Sequence, residues 1–141
     1  MLIDRLQAIF VAIYLIVDVI YVTLSMPFYK AVVARIEAPK RRTPSKPKSK
    51  GSLLLVALAS YALMAIGWLI FVADKARDTR SVLGGMAYGA LYGLVVYGVF
   101  NFTNYVLFSQ YTSDVLLRDL AWGVTWGALF TGAYTHFANA P

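Results

Sequence analysis

Four apolar runs, over residues 5–26, 53–73, 82–109 and 115–137, occupy most of the 141-residue chain, and each is long enough to cross a lipid bilayer. About 20 apolar residues at ~1.5 Å rise span the hydrocarbon layer, where every backbone N–H and C=O must find its partner within the segment. The chain is therefore expected to be all-α, an integral membrane bundle of four transmembrane helices forming a single domain. The alternating strands of about ten residues that a barrel would need do not occur. The third run is the longest, which predicts tilt or an extension beyond the bilayer.

Composition supports the same reading, with 60% hydrophobic and 14% charged residues, where a soluble domain carries about 25% charge. The first run is not read as a cleaved signal peptide. It is too long for a signal core, carries Asp18, and ends at Ser25, Met26, Pro27 and Phe28 without a small-residue cleavage pattern. Cysteine is absent, which excludes disulfides, thiolate metal sites and palmitoylated cysteine.

Charge is concentrated between the first two runs. Lys30, Arg35, Lys40, Arg41, Arg42, Lys46, Lys48 and Lys50 are eight of the 13 basic residues, opposed there by Glu37 alone. Short loops rich in Lys and Arg stay on the cytoplasmic side, so helix 1 should run outside to inside and both termini should lie on the non-cytoplasmic side. Residues 38–51 hold three of the five prolines and almost nothing apolar, so this segment cannot form a core of its own. Its bases, Lys40, Arg41, Arg42, Lys46, Lys48 and Lys50, are candidates for a partner-binding arm. A tether to anionic lipid and a dock for an acidic protein surface are both open, with nucleic acid ranked behind them.

Two further patterns lie inside the runs. Gly85, Gly89 and Gly93 recur every fourth residue, and Gly123 and Gly127 repeat the spacing on the last run, which predicts close antiparallel packing of the two helices, with an oligomer seam as the other use. Polar residues at bilayer depth are expensive and face a partner or a cavity. Tyr14, Asp18, Asn101, Asn104, Asp119 and Trp122 are therefore grouped as an intramembrane polar cluster, expected to meet at one level in the inner third of the bundle. Tyr14, Asp18, Tyr21 and Ser25 share one helical stripe, and Arg118 is expected to snorkel or to pair with Asp114. An interhelical hydrogen-bond clamp is the favoured use of the cluster, ahead of an ion or proton site.

Enzyme chemistry finds no support. His136 is the one histidine and sits near the end of the last run, so no histidine pair for a metal exists, and the serines lack a nucleophile elbow. No catalytic residue, metal or cofactor is assigned.

The runs YGVFNFTN over 97–104 and DLAWG over 119–123, preceded by DVIY over 18–21 and PFY over 27–29, resemble a family of small uncharacterised four-helix membrane proteins found in bacteria and in large DNA viruses. The resemblance covers nearly the whole chain outside the basic loop. Asn101 stands where that family usually has an aspartate, and Tyr21 where it has a tryptophan, which weakens a chemical or ion-binding role. The resemblance and the charge pattern together imply one of two functions. One is a minor capsid protein of the inner membrane of a large DNA virus, whose helices anchor while the basic loop docks on the protein shell. The other is a small cellular transporter, channel or transport accessory using Asp18 and Asp119. The location is the virion inner membrane in the first case and a cell membrane in the second.

Overall fold

The computed structural model describes residues 4–37 and 49–141, and the bases Lys40, Arg41, Arg42, Lys46 and Lys48 lie outside the described residues. Helix α1 covers Arg5–Glu37. Helix α2 covers Lys50–Trp68 and continues through a π-helical turn, Leu69–Ala73, into α3, Asp74–Asp78. Helix α4 covers Val82–Leu107 and α5 covers Ser113–Ala138.

Local chemistry accounts for the ends. Asp4 and Gln7 form a reciprocal cap on α1, with Gln7 N donating to Asp4 Oδ1 (2.7 Å) and Asp4 N to Gln7 Oε1 (3.1 Å), which satisfies donors the first turn cannot. Ser49 and Ser81 cap α2 and α4 by accepting from Ser52 N and Gly84 N. Between α3 and α4, Arg80 adopts a left-handed φ of 50°, and Thr79 Oγ1 braces the turn by bonding Ala76 O and accepting from Ser81 N.

The first helix corrects the expected end at residue 26, because α1 passes through Pro27 and reaches Glu37. Pro27 removes one N–H from the helical ladder. The turns beyond it are held by packing: Val32 is buried against Tyr111 and Val115, with Phe28, Ile36 and Phe108 around them. The other helices also differ at their ends, with α4 stopping at Leu107 and α5 running from Ser113 to Ala138.

The π-helical turn has no counterpart in the sequence reading. One extra residue in a helical turn rotates the turns after it, and here it brings Trp68, Leu69, Val72, Ala73 and Ala76 all to the interior. They form one core with Phe10, Tyr14, Phe130 and Tyr134. The second core, around Val32, Tyr111 and Val115, lies at the other end of the bundle. Outward-facing Leu54, Leu55, Leu63, Ile66, Leu83 and Val106 are exposed, the inside-out distribution expected of helices solvated by lipid.

Arg5–Ile36, Leu54–Asp78 and Val82–Leu107 are long and apolar enough to cross a membrane by length and composition. Helix α5 does not meet that measure among the described residues, because Arg118, Asp119, Thr125, Thr131, Thr135 and His136 dilute its apolar content. It is nevertheless the helix most closely joined to α4. A Cβ at Gly93 would overlap the Gly123 carbonyl, one at Gly89 the Gly127 carbonyl, and one at Gly85 the Thr135 side chain. Gly85, Gly89, Gly93, Gly123 and Gly127 therefore lie in one antiparallel seam, with backbone facing backbone at Gly89, Gly93 and Gly127 and the Thr135 and Tyr97 side chains lying against Gly85 and Gly123.

Candidate functional site

Between the two apolar cores lies a belt of polar side chains contributed by α1, α4 and α5. The inward face of α1 supplies Gln7, Phe10, Tyr14, Asp18, Ser25 and Val32, all buried, at the three-, four- and seven-residue steps of a helical stripe.

The upper tier is centred on Asp18. Its Oδ1 accepts from Tyr97 OH at 2.5 Å and from Trp122 Nε1 at 3.1 Å. The lower tier is centred on Asp119, whose Oδ1 accepts from Tyr21 OH (3.3 Å) and from Tyr29 OH. Tyr21 and Trp122 stack with ring centroids 4.0 Å apart and planes at 4°, so one aromatic pair bridges the tiers. A third set hangs from Asn101, which is fully buried: Nδ2 donates to the Tyr97 carbonyl (2.8 Å), and Oδ1 accepts from Tyr111 OH (2.5 Å).

These positions revise the expected cluster in three respects. Asp18 and Asp119 do not form a two-carboxylate site; each has its own donors, one helical turn apart. Tyr14 lies in the apolar core rather than the belt, stacked on Trp126 and edge-on to Phe130. Arg118 does not pair with Asp114. Its Nη2 donates to Ser25 Oγ (3.3 Å) and its guanidinium lies 4.5 Å from the centre of the Phe28 ring, a partner that exists only because α1 continues past Pro27. Asn104 is half-buried at the edge of the belt.

Tyr29, Tyr97 and Tyr111 supply three of the decisive donors and were not among the expected site residues. A signal for Tyr29 was present: Tyr21, Ser25, Phe28, Val32 and Ile36 continue the inward stripe beyond the proline. Tyr111, in the connection between α4 and α5, has its phenol pushed up to about 12, first by burial and then by the Asp119 carboxylate and Tyr21. It therefore remains a donor to Asn101 at neutral pH.

Beside Asp119 a cleft of about 390 Å³ opens between α1, α4 and α5. Its polar lining is Tyr21, Tyr29, Tyr97, Asn104, Tyr111 and Asp119, and the remainder is aliphatic or phenylalanine. Among the described residues no group of three or more histidines, cysteines or acids is placed to hold a metal ion.

Such a bundle, with lipid-facing apolar helices and internally paired polar groups, defines a small helical membrane protein. The family described as predicted membrane protein (DUF2177) matches residues 5–136, and the chain belongs to that family. No curated protein and no solved structure matches the chain.

Proposed function

We propose that this protein is a structural membrane anchor: four crossing helices form a stiff platform that holds the basic 38–51 segment at the membrane surface. The observation that carries this reading is how the carboxylates are used. Asp18 and Asp119 each accept two hydrogen bonds from side chains of the same chain, the arrangement of interhelical clamps, each contact contributing about 0.6–2 kcal/mol. The glycine seam adds a second rigid joint. The C-terminus of α1 and the N-terminus of α2 lie at the same end of the bundle, so both attachment points of the basic segment are on one side. Its composition suits an acidic protein surface. The resemblance to a membrane protein family found in bacteria and in large DNA viruses, taken with the charge of this segment, makes the viral shell the partner we favour, with the protein acting as a minor capsid component of the inner membrane.

The test replaces Lys40, Arg41, Arg42, Lys46, Lys48 and Lys50 together by glutamine and measures shell protein retained on floated membranes from producing cells. Loss of retention with normal membrane insertion is the expected result; unchanged retention rejects the anchor reading. The small transporter or channel has one observation in its favour, the position of Asp119 on a cleft. Cation or proton flux in proteoliposomes that disappears in the D18N/D119N double variant would establish it instead.

A further inference from the structure

A second cavity, of about 380 Å³, opens where α3 turns into α4 and where α5 ends. Arg80, His136 and Asn139 line it with Val82, Ala140 and Pro141, and no acidic side chain does. Its two basic groups are uncommitted. Arg77, three residues earlier, is held between Asp4 and Asp74, whereas Arg80 forms no ion pair among the described residues, nor one with the carboxyl group of Pro141. The His136 ring lies edge-on to the Phe137 ring, with centroids 5.3 Å apart. Asn139 fixes the wall between them, its Nδ2 donating to the carbonyls of Arg77 (3.0 Å) and Thr135 (2.9 Å).

Arg80 also stands where glycine would be less strained. Its φ of 50° is in the left-handed region, which costs any residue that carries a Cβ. Such residues cluster at ligand sites, where the side chain serves a purpose that the backbone does not. The turn is braced by the Thr79 hydroxyl, so the guanidinium extends from a fixed Cα.

The cavity lies at the depth of lipid headgroups. Val82 opens the apolar span Val82–Leu107, and Asn139 on the cavity wall bonds the backbone of Arg77, whose side chain forms the charged level with Asp4 and Asp74. The space between a charged level and the first apolar turn is where a leaflet carries its phosphates, just outside the ~30 Å of hydrocarbon.

We propose that this cavity binds the phosphate of an anionic phospholipid, with the Arg80 guanidinium and the His136 ring donating to the phosphate oxygens and the glycerol esters directed past Val82. A guanidinium pairs bidentately with phosphate, and an imidazole donates a hydrogen bond in either protonation state. With no carboxylate on the wall, nothing holds the cation of a zwitterionic headgroup. Free phosphate offers the same oxygens, but the depth favours the lipid. The inference does not involve the basic segment and stands apart from the anchor reading.

The test uses the full chain with Lys40, Arg41, Arg42, Lys46, Lys48 and Lys50 replaced by glutamine, so that lipid drawn to the basic segment does not mask the site. Native mass spectrometry from a neutral maltoside detergent then counts dioleoylphosphatidylglycerol per chain. One molecule should be retained at concentrations where dioleoylglycerol and dioleoylphosphatidylcholine are lost. R80G and H136A should each weaken retention roughly tenfold, the loss of one charge-assisted contact. K75Q, which removes an exposed base of α3 that does not line the cavity, should have no effect. R80G should also leave the denaturant midpoint unchanged or raise it, because glycine relaxes the turn. Equal weakening by K75Q, equal retention of the phosphatidylcholine, or undiminished retention in R80G overturns the proposal. Displacement by equimolar inorganic phosphate overturns the lipid as occupant. Should R80G lower the midpoint, H136A decides: weakened retention supports the site and unchanged retention overturns it.

Discussion

At position 101 an amide can do what a carboxylate cannot, which is donate. Asn101 Nδ2 faces the Tyr97 carbonyl while Oδ1 faces the Tyr111 hydroxyl, so the side chain is used at both ends and its orientation is fixed by its partners. An ionised aspartate would present oxygen to the Tyr97 carbonyl, which keeps its helical bond from the main-chain N–H of residue 101 but is then opposed by a second negative oxygen. N101D is therefore expected to lower unfolding free energy by about 1–3 kcal/mol, read from the denaturant midpoint in mixed micelles. A variant as stable as the parent would mean that donation to Tyr97 contributes nothing.

At the scale of the element, the α4–α5 seam separates glycines that are required from one that is not. Gly93 faces the Gly123 carbonyl, where a methyl group has no room, whereas a Cβ at Gly98 would sit 3.4 Å from the Phe102 ring in ordinary contact. G93A is expected to destabilise by about 1–3 kcal/mol through forced separation of the helices. G98A should be neutral, or stabilising by up to about 1 kcal/mol from helix propensity. Comparing both midpoints in one detergent checks the assignment, and equal effects would reject it. The seam was legible because its requirement, a small residue every fourth position, is written within each helix. The residues facing it across the gap were not: Thr131 and Thr135 enter against Gly89 and Gly85, and Met86 against Gly132, pairings set by a register no single helix encodes. The end of α1 was misread for a related reason. Pro27 is a local stop signal, but Val32 is held by Tyr111 and Val115, which are far away in the chain, and that packing decides. The π-helical turn at Leu69–Ala73 left no mark at all, since any apolar sequence can adopt it when both flanking faces are to be buried. Asp18 and Asp119 were recognisable as costly residues, yet their division between two tiers depends on Tyr97 and Tyr29, whose reach is set by the assembled bundle.

For the whole molecule, the seam bears directly on whether α5 crosses with the others. Along α4, Gly85, Gly89 and Gly93 meet Thr135, Gly127 and Gly123 in order, so from Gly85 to Gly93 the backbone of α5 lies beside that of α4. A helix bound in this way is expected to cross the hydrocarbon with its partner. Its own charges agree: the rise from Arg118 to His136 is ~27 Å, close to the ~30 Å thickness of the core. Thr131 and Thr135 are buried inside, Thr131 accepting from Trp68 Nε1 (3.1 Å) and Thr135 bonding the Thr131 carbonyl (2.8 Å), so these two hydroxyls are turned from lipid. At the far end Asn139 Nδ2 donates to the Arg77 carbonyl (3.0 Å), tying the C-terminus to the α3–α4 turn and to Asp4. The absence of cysteine makes this arrangement directly measurable with single introduced thiols and an impermeant maleimide on sealed vesicles. D78C and A140C should react from one face and S109C from the other, placing two crossings, α4 and α5, between residues 78 and 140. If A140C and S109C react from the same face, α5 does not cross, and the glycine seam must then form outside the hydrocarbon with α4 withdrawn from it.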